Sequence, residues 1–148
     1  MYDVALICIM GESTMTKLTE IEGVAASNAK KLQKAGIRSA EALLKKGATK
    51  KGRKEIAAKT GISEKVILRW VNYADLFRIK GVGGEYAELL EAAGVDTVPE
   101  LSRRKPANLA AKMAEVNAKK HLVRQVPSEK QVSKWVDQAK TLDRVVKH

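Results

Sequence analysis

Cysteine occurs once, at Cys8, and histidine twice, at His121 and His148. One cysteine excludes an intramolecular disulfide and a cysteine metal cage, and two histidines so far apart supply no zinc site. No metal and no cofactor is expected. Aromatics make up only 4% of the chain and prolines number three. A core of Ala, Leu, Ile and Val, with little β-branched alternation, suits an all-α protein. Long apolar runs are missing too. Val4 to Met10 is the one that stands out, flanked by Asp3 and Glu12. It is far too short to cross a bilayer and lacks a basic leader, so it reads neither as a membrane helix nor as a signal peptide. The expected setting is cytoplasmic, with no membrane partner. Residues 1–15 read as an N-terminal extension, either used in self-association through residues 4–10 or an upstream start with no fold role.

Acidic residues are also in short supply. Lys and Arg total 28 against 17 Asp and Glu, a formal charge of +11. The excess is uneven: residues 16–76 hold 14 basic and 6 acidic side chains, residues 77–143 hold 12 and 9. A strong positive balance favours a polyanionic partner.

What is present is a sequence that repeats itself. Ile21-Glu22-Gly23-Val24 recurs as Ile79-Lys80-Gly81-Val82, a shift of 58 positions. At the same shift Ala29 matches Ala87, Leu32 matches Leu90, Ala35-Gly36-Ile37 matches Ala93-Gly94-Val95, and Leu43 matches Leu101. Further on the shift becomes 65, where Ser63-Glu64-Lys65 matches Ser128-Glu129-Lys130 and Trp70-Val71 matches Trp135-Val136. The seven extra residues fall within 105–126. A repeat of about 60 residues is marginal alone, and no Gly/Pro/Ser linker separates the two. The copies, 16–76 and 77–148, are therefore expected to share a core.

The spacing predicts a short helix ending at Gly23 and a second from near Ala25 to Ala35, stopped by Gly36. Thr16 and Thr19 are candidate caps. Ser39 caps a third helix over Ala40 to Lys46. A basic, glycine-bounded loop follows, with six cations among residues 45–54. Next come a helix from Arg53 to Lys59, a stop at Gly61 and a long helix after Ser63 carrying Trp70. In the second copy a helix from Glu85 to Ala93 stops at Gly94, Thr97 caps a start containing Pro99, and a helix runs from Ala107 through Asn117. The last helix opens at Pro127-Ser128.

An apolar-x-Gly-apolar turn between two short helices is a helix-hairpin-helix signature. The run from Trp70 to Gly83, followed by Tyr86-Ala87, Leu89-Leu90 and Ala93-Gly94-Val95, resembles a helix-hairpin-helix family known mainly from bacteria and catalogued as a domain of unknown function. The resemblance covers roughly residues 16–142. It implies an all-α fold of two tandem helix-hairpin-helix pseudo-repeats, related to DNA-binding modules, and supplies no activity.

In such a hairpin, glycine lets the backbone approach a phosphate and the next helix offers its N–H groups. The candidate contacts are Gly23, Val24 and Ala25 in the first copy and Gly81, Val82, Gly83 and Gly84 in the second. Ala25 replaces the second glycine of the first hairpin. Counter-charge would come from Lys30, Lys31, Lys34, Lys50, Lys51, Arg53 and Lys54, with Arg103 and Arg104 repeating Lys45-Lys46. Glu85, Glu88 and Glu91 behind the second hairpin oppose binding. The expected function is non-enzymatic, sequence-independent binding to the phosphate backbone of DNA or RNA. Two rivals stand beside it: a helical protein-interaction scaffold, and a helix-turn-helix base reader over residues 53–72. No nucleophile elbow, P-loop or carboxylate pair marks an enzyme.

Overall fold

The computed structural model describes residues 16–148, and the expectations for Val4 to Met10 lie outside them. The described residues form eight α-helices and one 3-10 turn, with no strand among them. After the 3-10 turn Leu18–Glu20 come α1 (Ala26–Lys34), α2 (Ala40–Gly47), α3 (Lys50–Thr60) and α4 (Glu64–Leu76). The second half runs α5 (Gly84–Ala92), α6 (Val98–Ser102), α7 (Pro106–Lys120) and α8 (Glu129–Thr141).

Local chemistry sets most of these boundaries. The hydroxyls of Ser39, Ser63 and Ser128 accept from the backbone N–H three residues on, at 3.1, 3.3 and 3.1 Å, and so open α2, α4 and α8. Gly61 ends α3, its N–H donating to the Ala57 carbonyl at 2.9 Å.

Three expected features differ. The basic stretch is not a loop. Thr49 Oγ1 accepts from Gly52 N–H at 3.0 Å, so α3 starts at Lys50; Lys50, Lys51, Arg53 and Lys54 ride on its start, while Lys45 and Lys46 end α2. Thr16 caps nothing; its N–H and hydroxyl both donate to the Glu41 carboxylate, at 2.7 and 2.9 Å. Thr97 stands at the N-cap of α6 as expected, but its side chain makes no cap hydrogen bond; Pro99 has no N–H to give it, and Val98 N–H donates to Asp75 Oδ2 at 2.8 Å.

The insertion in the second half goes into a longer helix, 15 residues in α7 against 11 in α3, and into the segment after it. That segment is pinned by buried Asn117, whose amide accepts from Val123 N–H at 2.9 Å and donates to its carbonyl at 3.0 Å.

The buried apolar residues make one continuous cluster running from Leu18 to Val146 through both copies. Ile21, Leu32, Ile67, Leu76, Ile79, Leu90, Leu101 and Trp135 are among its most buried members. Two polar ties reinforce it. Asp75 is 0% exposed; its Oδ1 accepts from Arg78 Nε at 2.9 Å while its Oδ2 takes the first N–H of α6. Arg53 is 4% exposed and donates to the Gly47 and Lys147 carbonyls, both at 2.8 Å. With Lys147 N–H donating to the Ala48 carbonyl at 2.7 Å and Val146 buried, the C-terminal segment of the second copy is stitched onto the first.

Removing one partner of a buried hydrogen-bonded charge leaves the others unsatisfied. Asp75→Ala should lower the unfolding free energy by about 3 kcal/mol in urea denaturation. A loss below about 1 kcal/mol would mean that the tie between α4 and α6 does not hold the copies together.

Candidate nucleic-acid interface

Each copy contains a glycine elbow laid over a tryptophan. In the first, Val24 N–H donates back to the Ile21 carbonyl at 3.0 Å, and Gly23 has φ +93°. In the second, Val82 N–H donates to Ile79 at 3.1 Å, and Gly81 has φ +95°. A side chain is strained at such φ values. Packing adds a second reason for glycine. A Cβ on Gly23 would stand 3.2 Å from Trp70 Nε1, and a Cβ on Gly81 would stand 3.2 Å from Trp135 Nε1. The tryptophans lie at matching places on α4 and α8 and are buried, at 3% and 2% exposure. The aromatic anchor of the core therefore turns its one polar atom toward the elbow.

Both elbows face outward. Gly23, Ala25, Gly81 and Gly83 are exposed, whereas Val24 and Val82 are buried and use their N–H groups to close the turns. The valines therefore shape the elbows and offer nothing to a ligand. Gly84 is a packing position, since a Cβ there would run into the backbone carbonyl of Glu20.

The charges around the elbows differ sharply. The second elbow borders a pocket of about 430 Å3 lined by Lys80, Gly81, Ser128, Lys130, Gln131, Lys134, Trp135 and Gln138. No carboxylate belongs to that lining. Lys130, Lys134 and Gln138 recur every fourth residue along one face of α8. Gln138 also braces the elbow, its Oε1 accepting from Lys80 N–H at 2.9 Å.

The three glutamates of α5 lie elsewhere. Glu91 takes two hydrogen bonds from Arg69, at 3.1 and 3.0 Å, and one from the Tyr73 hydroxyl at 2.6 Å. Burial, and then the bond to Glu91, raise the Tyr73 hydroxyl above its usual pKa, while the bonds to Glu91 and Tyr73 raise Arg69. Burial, then the charge of Glu22, raises Glu88. Glu22 belongs to the first elbow, and the start of α5 packs beside that elbow, with Gly84 against the Glu20 carbonyl. Glu85 is exposed and outside the pocket lining.

The remaining basic residues divide by role. Lys30, Lys31, Lys34, Lys50, Lys51, Lys54 and Arg103 are exposed. Arg53 is buried and committed to the chain's own carbonyls, so it has no part in a surface. Arg104 donates to the Gly94 carbonyl at 2.7 Å and faces Glu100 at 3.5 Å, closing the end of α5. Lys46 occupies the equivalent place beside Gly36. The α3–α4 pair that read as a helix-turn-helix has Ile56, Ile67 and Trp70 inside, but α4 buries seven of its 13 residues, and exposed Arg69 is held by Glu91.

Sequence reasoning missed Lys80, Lys130, Lys134, Gln131 and Gln138. The signal was available in part. Lys80 stands where the first copy has Glu22, and Lys130 and Lys134 share a helical face that also carries Gln138. Among the described residues no group of three His, Cys, Asp or Glu could hold a metal, and no helix is long and apolar enough to cross a membrane.

Gly81→Ala should destabilise the fold by about 1–2 kcal/mol through its positive φ. A loss below about 0.5 kcal/mol in thermal or urea unfolding would contradict the strained elbow.

Comparison with curated proteins and with solved structures finds no match. A family model described as Domain of unknown function (DUF4332) matches residues 22–142. That span takes in both glycine elbows, both tryptophan helices and the pocket at Gly81, and the chain belongs to this family.

Proposed function

We propose that this protein binds the phosphate backbone of nucleic acid, DNA in the first instance, without reading sequence and without catalysing a reaction. On this reading each elbow is the turn of a helix-hairpin-helix and the two copies are tandem versions of that motif. The observation that carries the proposal is the outward Gly81 elbow bordered by Lys80, Lys130 and Lys134 with no carboxylate in the lining. Phosphate contacts of this kind position a strand and are indifferent to its bases. The amides of Gly81, Gly83 and Glu85 have no acceptor among the described residues and lie at or beside the start of α5, where the helix dipole favours an anion. The exposed lysines of α1 and α3 add a diffuse positive field.

Two observations weigh against the rivals. Val66, 39% exposed, is the only large hydrophobic residue exposed among the described residues, which gives the scaffold reading little apolar surface there. And α4 is mostly core, so only its first turn and Arg69 offer anything to a groove.

Fluorescence anisotropy with labelled duplexes of unrelated sequence, at about 50 and about 200 mM salt, tests this. Expected are similar affinities across sequences and a steep loss with salt. The triple variant Lys80→Gln, Lys130→Gln, Lys134→Gln should lose at least about tenfold at low salt and flatten the salt dependence by about three units. Lys50→Gln, Lys51→Gln, Lys54→Gln should lose less. Equal losses from the two triples would reject the elbow as the contact. No binding by the wild type at low salt would reject the function.

A further inference from the structure

We propose that the pocket at Gly81 is an oxyanion seat in which the indole N–H of Trp135 is a direct hydrogen-bond donor to a phosphate oxygen. This deepens the nucleic-acid reading, on which it rests only for the source of the phosphate.

Four observations converge on it. First, the Trp135 ring is 2% exposed, but its Nε1 has no acceptor among the described residues and is not itself buried, so the indole N–H opens onto the pocket. An indole N–H at a pocket wall, with no protein acceptor, is left to donate to whatever enters the pocket. Second, the space beside it is open. At the point where a Gly81 side chain would begin, Trp135 Nε1 is the only heavy atom within 4 Å outside the immediate chain. A phosphate oxygen approaching from that side meets only the bare Gly81 backbone, with no side chain to keep it from hydrogen-bonding reach of the indole. Third, the rim supplies charge: Lys80, Lys130 and Lys134 line the pocket together with the amide of Gln131. The Ser128 hydroxyl already accepts from Gln131 N–H at 3.1 Å, which leaves its own proton to donate outward.

The fourth observation is an internal control. Trp70 and Gly23 reproduce the indole-under-glycine geometry at the same 3.2 Å. Around them, however, Glu22 replaces Lys80, Val66 replaces Gln131 and Tyr73 replaces Gln138. Arg69, in the place of Lys134, is taken by Glu91. One backbone device thus occurs twice, and only the second is set in a cationic rim. The seat takes one tetrahedral oxyanion, supplied either by a phosphodiester of a nucleic-acid strand or by free phosphate.

Nuclear magnetic resonance of the full chain, with 15N-labelled tryptophan, reads both indole protons at once. Trp135→Phe, which removes the N–H and keeps an aromatic ring, assigns the two signals. Titration with inorganic phosphate, and separately with a short duplex, should move the Trp135 indole proton downfield to saturation and leave that of Trp70 nearly still. Trp135→Phe should weaken duplex binding about three- to tenfold, by the loss of one charge-assisted hydrogen bond. Duplex binding that saturates with the Trp135 signal unmoved overturns the seat while the backbone-binding function stands. Saturation by phosphate with no response to duplex upholds the seat and removes nucleic acid as its source. Equal movement of both indoles overturns the assignment to the second copy.

Discussion

The architecture depends on an indole packed beneath a glycine that no other residue can replace without strain. At Gly23 and again at Gly81, a positive φ and a tryptophan nitrogen 3.2 Å from the missing Cβ act on the same residue. The turn must therefore point its backbone away from the core, and the valine after it must point inward. That valine closes the turn with its own N–H and joins the buried cluster. The tryptophan comes from a helix some 50 residues along the chain, so each elbow can form only once its copy has folded around it. The exposed backbone at each elbow is thus a consequence of how the core is filled.

Two copies of one backbone device do not make two equal sites. The first elbow carries Glu22, and the start of α5, the helix that carries Glu85, Glu88 and Glu91, packs beside it. The second carries Lys80 and receives Lys130 and Lys134 from α8. The packing between copies explains part of the difference. Gly84 fits against the Glu20 carbonyl, which sets the start of α5 beside the first elbow. Arg69 and Tyr73 are then drawn to Glu91, and the cation in the place of Lys134 links α4 to α5 instead of facing the first elbow.

Much of the fold was legible because it is written in local chemistry. Ser39, Ser63 and Ser128 announce helix starts, Gly36, Gly61 and Gly94 announce ends, and the shift of 58 lays one elbow over the other. The site was legible only in part, since charge in a sequence carries no address. Six cations between 45 and 54 read as a loop, but Lys45 and Lys46 end α2, Thr49 draws the other four into α3, and Arg53 is pulled inside by carbonyls of Gly47 and Lys147. The second of those acceptors lies 94 residues away and leaves no local trace. Arg104 looked like a free cation and is tied to Gly94. Conversely, Lys130 and Lys134 looked like ordinary exposed helix residues. They gain meaning only when α8 is laid beside Lys80, about 50 residues earlier. The tryptophans read as packing anchors, which they are, but their spacing did not reveal which way the nitrogen faces.

The central claim is that position at the elbow, and not the overall positive charge, selects the polyanion. Exchanging Glu22 and Lys80 in the double variant Glu22→Lys, Lys80→Glu leaves composition and net charge unchanged. Duplex affinity at low salt, measured beside the unfolding midpoint, tests the claim most directly. The account predicts a loss of about tenfold or more with the midpoint retained, because one unit of charge at the seat is reversed. An affinity equal to that of the wild type would contradict it and leave binding to the bulk charge alone.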